Sequence, residues 1–215
     1  MIATRTRLRA YPPVDKYNLK NTRSNVSLTI CVDDMRELAL NILDIVENSV
    51  KAEAKNVLIS VVAEDNLLTI VIKDDGKGMD EEFLKTVTDP FTTTRTTRKV
   101  GMGIPLFKMA AEMAGGEFSI TSTKGVGTTV TATFVLDHID RVPLGDLAET
   151  MVTLLNDDFP TDYLLKVSVD GNKYEFDTKE LREQLDGVPV NEPEILLFVK
   201  DMINENITHI GGAKI

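Results

Sequence analysis

The sequence predicts an α+β protein, and three observations carry that prediction. Stretches with apolar residues at helical spacing interleave with β-rich runs along the chain. Two hairpin signals stand far apart, a polar turn at Glu64 and Asp65 and the pair Asp170-Gly171. The composition is that of a soluble globular protein, 42% hydrophobic and 27% charged over 215 residues.

Taken in order, residues 1–25 read as a basic arm, with Arg5, Arg7, Arg9, Lys16, Lys20 and Arg23 against Asp15. "VSLTICV" alternates as a strand over Val26–Val32. "DDMRELALNILDIVENSVKA" follows as a helix, with Asp33 or Asp34 expected to cap it. "NVLISVVA" and "NLLTIVIK" form the first hairpin, and "DDGKGMD" ends its second strand. A short helix near Glu81–Val87 leads into the loop "TDPFTTTRTTRKVGMG". "IPLFKMAAEMA" is a helix that tolerates Pro105 in its first turn and stops at Gly115-Gly116. "EFSITST" and "TTVTATFVL" are two strands joined through "KGVG". Composition then shifts. Asp146 with Glu149, and Asp177 with Glu180, start two helices on either side of the Asp170-Gly171 hairpin. "NEPEILLFVKDMINENI" is a last helix. The expected division is therefore an arm (1–25), a main domain (26–138) and a small α+β appendage with a tail (139–215).

Bulk properties narrow the function. A net charge of −10 argues against a general nucleic-acid binder. One cysteine cannot form an internal disulfide, and two histidines make a zinc site of such ligands unexpected. The N-terminus shows no apolar signal-like core, and no run reaches the roughly 18 apolar residues that cross a bilayer. A cytoplasmic protein away from membranes is the simplest expectation.

Four local features carry chemistry. Asn41, Asp44, Asn48 and Lys51 recur at steps of three and four and share one helix face. A neutral amide oxygen such as that of Asn48 suits Mg²⁺, which keeps waters and bridges phosphates. Asp44, one turn earlier, is placed to orient or deprotonate a water; Asn41 and Lys51 read as ordinary surface. The second feature is Asp74-Asp75-Gly76-Lys77-Gly78, where glycines admit a ligand to the backbone and a carboxylate can accept from an amino group. In the third, Gly101-Met102-Gly103 opens a helix whose free N–H groups suit phosphate, with Arg95, Arg98 and Lys99 just upstream. The fourth is "KGVGTT", which places Thr128 at the start of a strand. No Gly-Lys-Ser or Gly-Lys-Thr P-loop is present.

Singly these signals are ordinary, but their order is not. "DIVENSVKAEAK", "DDGKGM", "DPFTTTR", "GMGIPL" and "GGEFSITSTKGVGTTVTATF" together resemble the GHKL ATPase superfamily, in its histidine-kinase-like subset, over roughly residues 26–136. The resemblance implies a Bergerat-type two-layer α/β sandwich, a mixed sheet with helices on one face. It implies ATP and Mg²⁺ as cofactors, with Asn48 as the metal's protein ligand and Asp74 at the adenine amino group. Gly76, Gly78 and Met79 would line the base and sugar, and Thr128 would help at the adenine. Gly101, Met102, Gly103 and Ile104 would face the phosphates under a mobile lid of about Phe91 to Val100. Asp44 would be the candidate base, with Arg95, Arg98 and Lys99 on the phosphoryl charge.

Asp44 departs from the glutamate of gyrase and MutL, so the resemblance leaves hydrolysis and phosphotransfer both open. A histidine kinase also carries a dimerising helical hairpin with a phosphoacceptor histidine, and none is seen before residue 26. The implied function is a protein kinase that phosphorylates a separate protein partner in signalling or regulation. An ATP-dependent switch that recruits a partner with little turnover, and a slow MutL-like ATPase, stay beside it.

Overall fold

The inward-facing row of each strand decides how this chain packs. In the computed structural model, which describes residues 37–88, 103–156, 160–212 and 215, six strands form one sheet. They are β1 (Asn56–Glu64), β2 (Leu67–Asp74), β3 (Phe118–Thr123), β4 (Gly127–Val135), β5 (Asp162–Val169) and β6 (Asn172–Asp177), in spatial order β3-β4-β2-β1-β5-β6. Val57, Ile59, Val61 and Ala63 on β1 are buried while the residues between them are not. The register sets them beside Ile72, Ile70 and Leu68 on β2, and beside Tyr163, Leu165, Val167 and Val169 on β5. Val130, Ala132 and Phe134 of β4 continue the same row. One face is therefore apolar across the sheet, and period-two alternation leaves Thr129, Thr131, Thr133, Ser60, Lys166 and Ser168 on the other.

Helices cover the apolar face. They are α1 (Leu38–Lys51), the short α2 (Glu81–Thr86), α3 (Gly103–Met113), α4 (Leu147–Asn156), α5 (Thr178–Leu185) and α6 (Pro193–His209). Leu38, Ile42, Ile45 and Val46 of α1, Phe107 and Ala111 of α3, Met151 and Leu154 of α4, and Val199 and Ile203 of α6 join the strand residues in one continuous core. Phe107 anchors α3, edge-on to Phe118 at 6.4 Å and tilted on Phe134 at 5.6 Å. The architecture is a mixed six-stranded sheet with a helical layer, the arrangement of the Bergerat fold. All neighbouring strands are antiparallel except β1 and β5.

Local signals act as the sequence reading expects at most element ends. Asp65 and Asn66 both take positive φ in the β1–β2 turn, as do Asp170 and Gly171 between β5 and β6. Asp146 Oδ1 accepts from Glu149 N at 2.9 Å, and Asp177 Oδ1 from Lys179 N at 2.8 Å. Two expectations change. Helix α1 begins at Leu38 behind Glu37, not behind Asp33 or Asp34, and backbone carbonyls satisfy its first amides: Leu38 N donates to Pro143 O at 2.9 Å and Ala39 N to Leu144 O at 2.7 Å. The segment from 139 onward does not stand apart from the main domain either. The described residues, from Glu37 onward, group as one compact unit, because β5 pairs with β1 and α4 and α6 share the common core. The expected strand Val26–Val32 and the basic arm lie outside the described residues.

Candidate nucleotide site at the helix α1 edge

Strand β2 ends its inward row on a charge. Alternation buries Leu68, Ile70 and Ile72 and then Asp74, which is 9% exposed under α1. A carboxylate there needs donors, and three are supplied. Ser49 of α1 donates its hydroxyl to Oδ2 at 2.8 Å, with Ile45 O a longer acceptor at 3.3 Å. Gly76 N and Thr128 N donate to Oδ1 at 2.9 and 3.2 Å. A carboxylate oxygen has two acceptor positions, so Oδ1 is fully used and Oδ2 keeps one open.

The glycine loop after β2 is clamped to its neighbours. A Cβ at Gly76 would lie 2.8 Å from Ala52 O, and Lys77 N donates to that same carbonyl at 2.9 Å. Gly78 has φ +61°, and a side chain there would overlap the Thr123 carbonyl. From the β3–β4 turn, Gly125 N donates to Lys77 O at 2.7 Å. Ser122 Oγ accepts from Met79 N at 2.8 Å and donates to Gly127 O at 3.0 Å. With its only proton so used, Ser122 must accept from the Thr128 hydroxyl at 2.9 Å. The lone pairs of Thr128 are then free to accept from outside. Beside the loop, Asp75 serves the sheet: it accepts from Lys55 N, Asn56 N and Asn56 Nδ2 at 2.7, 2.9 and 2.6 Å. Desolvation pushes its pKa up, but these donors outweigh it and leave the net shift downward.

The other end of the site is less finished. The Asn48 side chain is partly exposed and has no hydrogen bond among the described residues. Asp44 lies exposed one turn earlier, with Gly103 directly over it. A Cβ on Gly103 would sit 2.9 Å from the Asp44 Cβ and 3.5 Å from its Oδ2, so the start of α3 rests on this carboxylate. Partial desolvation on the side covered by Gly103 raises the Asp44 pKa above 3.8, Glu47 adds to the rise, and Lys51 opposes it. Lys51 pairs with Glu47 at 2.9 Å. Asn41 is not the ordinary surface residue expected: it is 5% exposed, and its Oδ1 has no partner among the described residues.

Asp44, Asn48, Asp74, Gly76, Gly78, Met79, Gly103, Ile104 and Thr128 thus lie on α1, the β2 end, the glycine loop, the start of α3 and the start of β4. Phe91, Arg95, Arg98, Lys99, Gly101 and Met102 lie outside the described residues. Sequence reasoning missed Ser49 and Ser122. Ser49 could have been found as a hydroxyl in line with the apolar Ile42 and Ile45; Ser122 gives no comparable signal. Among the described residues no three His, Cys, Asp or Glu side chains cluster to hold a metal. A hard cation here would need the free Asn48 oxygen together with waters and ligand oxygens. No helix among the described residues is long and apolar enough to cross a membrane.

Residues 33–138 match the profile of the family described as histidine kinase-, DNA gyrase B-, and HSP90-like ATPase. The histidine protein kinase DivJ of Caulobacter vibrioides is 33% identical over 103 residues, 45% of this chain and 17% of that protein. The autoinducer 2 sensor kinase/phosphatase LuxQ of Vibrio parahaemolyticus is 27% identical over 175 residues, 71% of this chain and 19% of that protein. Sporulation kinase E of Bacillus subtilis is 29% identical over 127 residues, 54% of this chain and 17% of that protein. The chain therefore spans less than a fifth of the length of these relatives. A solved structure, the N terminal domain of a DNA repair protein, superposes with a TM-score of 0.49 at 14% identity, over 70% of this chain and 55% of that one.

Proposed function

Through residues 33–138 the chain belongs to the histidine kinase-, DNA gyrase B- and HSP90-like ATPase family, and from that premise we propose that it binds Mg²⁺–ATP along the α1 edge and transfers the γ-phosphoryl group to a separate protein partner in signalling. The observation that carries this reading is Asp74. Its buried carboxylate has one acceptor position open on Oδ2, and the Thr128 hydroxyl beside it is left to accept. An adenine amino group supplies the donor that both lack. Gly76, Gly78 and Met79 flank the base and sugar. The phosphates then run along α1 toward Asn48, Asp44 and the first amides of α3 at Gly103 and Ile104, where the helix dipole favours negative charge. Asn48 would hold Mg²⁺, which would supply charge neutralisation on the phosphates. Asp44 orients the attacking hydroxyl or imidazole, and its raised pKa brings it closer to a base's working range. Arg95, Arg98, Lys99 and the segment from Phe91 through Gly101 and Met102 belong to the reading on sequence grounds. A cytoplasmic location belongs to it on the same terms.

Two experiments test it. Asp74→Asn and Asn48→Ala are each expected to reduce the thermal shift induced by Mg²⁺–ATP, and unchanged shifts in both would remove the site assignment. With γ-labelled ATP and a lysate of the source cells, label is expected on another protein; acid-labile label identifies phosphohistidine and acid-stable label serine or threonine. A switch is the second reading, because Gly103 rests directly on Asp44 and a ligand there bears on α3. Nucleotide-dependent capture of a partner with no label on any protein would favour it. Release of labelled phosphate with neither would favour slow hydrolysis.

A further inference from the structure

Asp75 is held from further away than the strand beside it. Its Oδ2 accepts from Asn56 Nδ2 at 2.6 Å, and the oxygen of that same amide accepts from Lys179 Nζ at 2.6 Å. An amide turned the other way would set its oxygen against the carboxylate and its NH₂ against the ammonium. Lys179 therefore fixes the face that Asn56 offers to Asp75. The ammonium lies 3.9 Å from Asp162 Oδ2, and Asp162 also pairs with Arg182. Parallel register sets Asn56 on β1 beside Asp162 on β5, which brings the start of α5 to the same end of the sheet. Lys179 stands in the first turn of α5, where the helix dipole favours acids over cations. Its contacts with Asn56 and Asp162 offset that cost.

What Asp75 controls is the base end of the candidate site. It stands between Asp74 and Gly76, and Gly76 N donates to Asp74 Oδ1. Its carboxylate also accepts from Lys55 N and Asn56 N, and Gly127 closes on its other side, where a Cβ would lie 3.0 Å from Asp75 Cα. The backbone course at Asp75 thus sets both the Asp74 carboxylate and the amide that locks it. We propose that Lys179 is a positioning residue for base binding: through Asn56 it holds Asp75, and so the glycine loop, in place. This rests on the nucleotide reading above. Lys179 lies well beyond residue 138, where the family match ends, so the C-terminal segment tunes a site that the family segment carries.

The test measures Mg²⁺–ADP affinity in wild type, Lys179→Met, Lys179→Arg, Lys166→Met and Asp75→Ala, and in Asp75→Ala carrying Lys179→Met. Methionine keeps the apolar stem of lysine and removes the charge. Lys179 is 54% exposed, so the expected loss in Lys179→Met is modest, about threefold, with recovery in Lys179→Arg. Lys166→Met removes a cation of β5 that pairs with Glu175 at 3.0 Å, further along the sheet, and is expected to bind like wild type. In the Asp75→Ala background Lys179→Met is expected to add no further loss, because the group it holds is gone. Wild-type affinity in Lys179→Met, no recovery with arginine, an equal loss in Lys166→Met, or a full further loss in the Asp75→Ala background would each overturn the proposal. Failure of the nucleotide reading looks different, since Asp74→Asn would then bind ADP like wild type. Should Asp75→Ala not fold, the Gly76 amide resonance of the nucleotide-free protein decides. It is expected to move in Lys179→Met and to return in Lys179→Arg, and any other pattern rejects the proposal.

Discussion

The two ends of helix α1 are built to different standards. At its C-terminal end Ser49, Asp74, Gly76 and Thr128 form a network in which every described donor is used, locked by Ser122 and by glycines that no other residue could replace. Asn48, beside Ser49, and Asp44, one turn nearer the N-terminus, lack hydrogen-bond partners among the described residues, and Asn41, two turns from Ser49, has an oxygen buried without one. A finished network resists rearrangement; open valences are completed by whatever binds. On the nucleotide reading proposed above, base recognition is preorganised and the phosphate end depends on its ligand for completion.

Three substitutions break or sharpen that contrast, beyond those that test the site itself. The largest effect is expected at Gly78→Ala. The new Cβ would overlap the Thr123 carbonyl at a residue with φ +61°, and a loss of roughly 3 kcal/mol or more in denaturant unfolding is expected. A melt like that of wild type would show that the glycine loop is not clamped. Ser49→Ala comes next, because it strips Asp74 Oδ2 of its only donor among the described residues. The expected cost is about 2 kcal/mol, with weaker nucleotide binding as well. At the open end Asp44→Asn is expected to change stability little, and mainly through pH. The Asp44 pKa is raised by burial and then by Glu47, so the folded state binds the proton more tightly than the unfolded chain. Its contribution is fully present below the unfolded value and fades as pH rises through the folded one. Wild type should therefore lose a little stability relative to Asp44→Asn as pH climbs above 3.8. Parallel melting curves across that range would mean that Asp44 is not desolvated.

Much of this was legible in the chain itself. The polar turn of the first hairpin, read at Glu64 and Asp65 and found one residue later at Asp65 and Asn66, the Asp-Gly turn, the capping carboxylates and the order of glycine motifs each rest on local chemistry, which a sequence displays. What escaped was set by distant parts of the chain. Ser49 matters because Asp74, 25 positions away, points at it. Asn41 looks like surface on a helical wheel, and only the helices and strands packed around α1 reveal that it is buried. The start of α1 could not be read either, since its cap is a pair of carbonyls from residues 143 and 144. The composition shift near residue 139 suggested an appendage, because a change of sequence style does not reveal where the next strand pairs.

That pairing has a practical consequence. Strand β1 lies between β2 and β5, so a fragment cut after residue 138, where the family match ends, would turn an interior strand into a bare edge. The edge would carry Val57, Ile59 and Val61 beside a row of unpaired amides, the pattern that invites sheets of different molecules to join. The stretch recognisable as family, expressed alone, is therefore expected to aggregate where the whole chain does not.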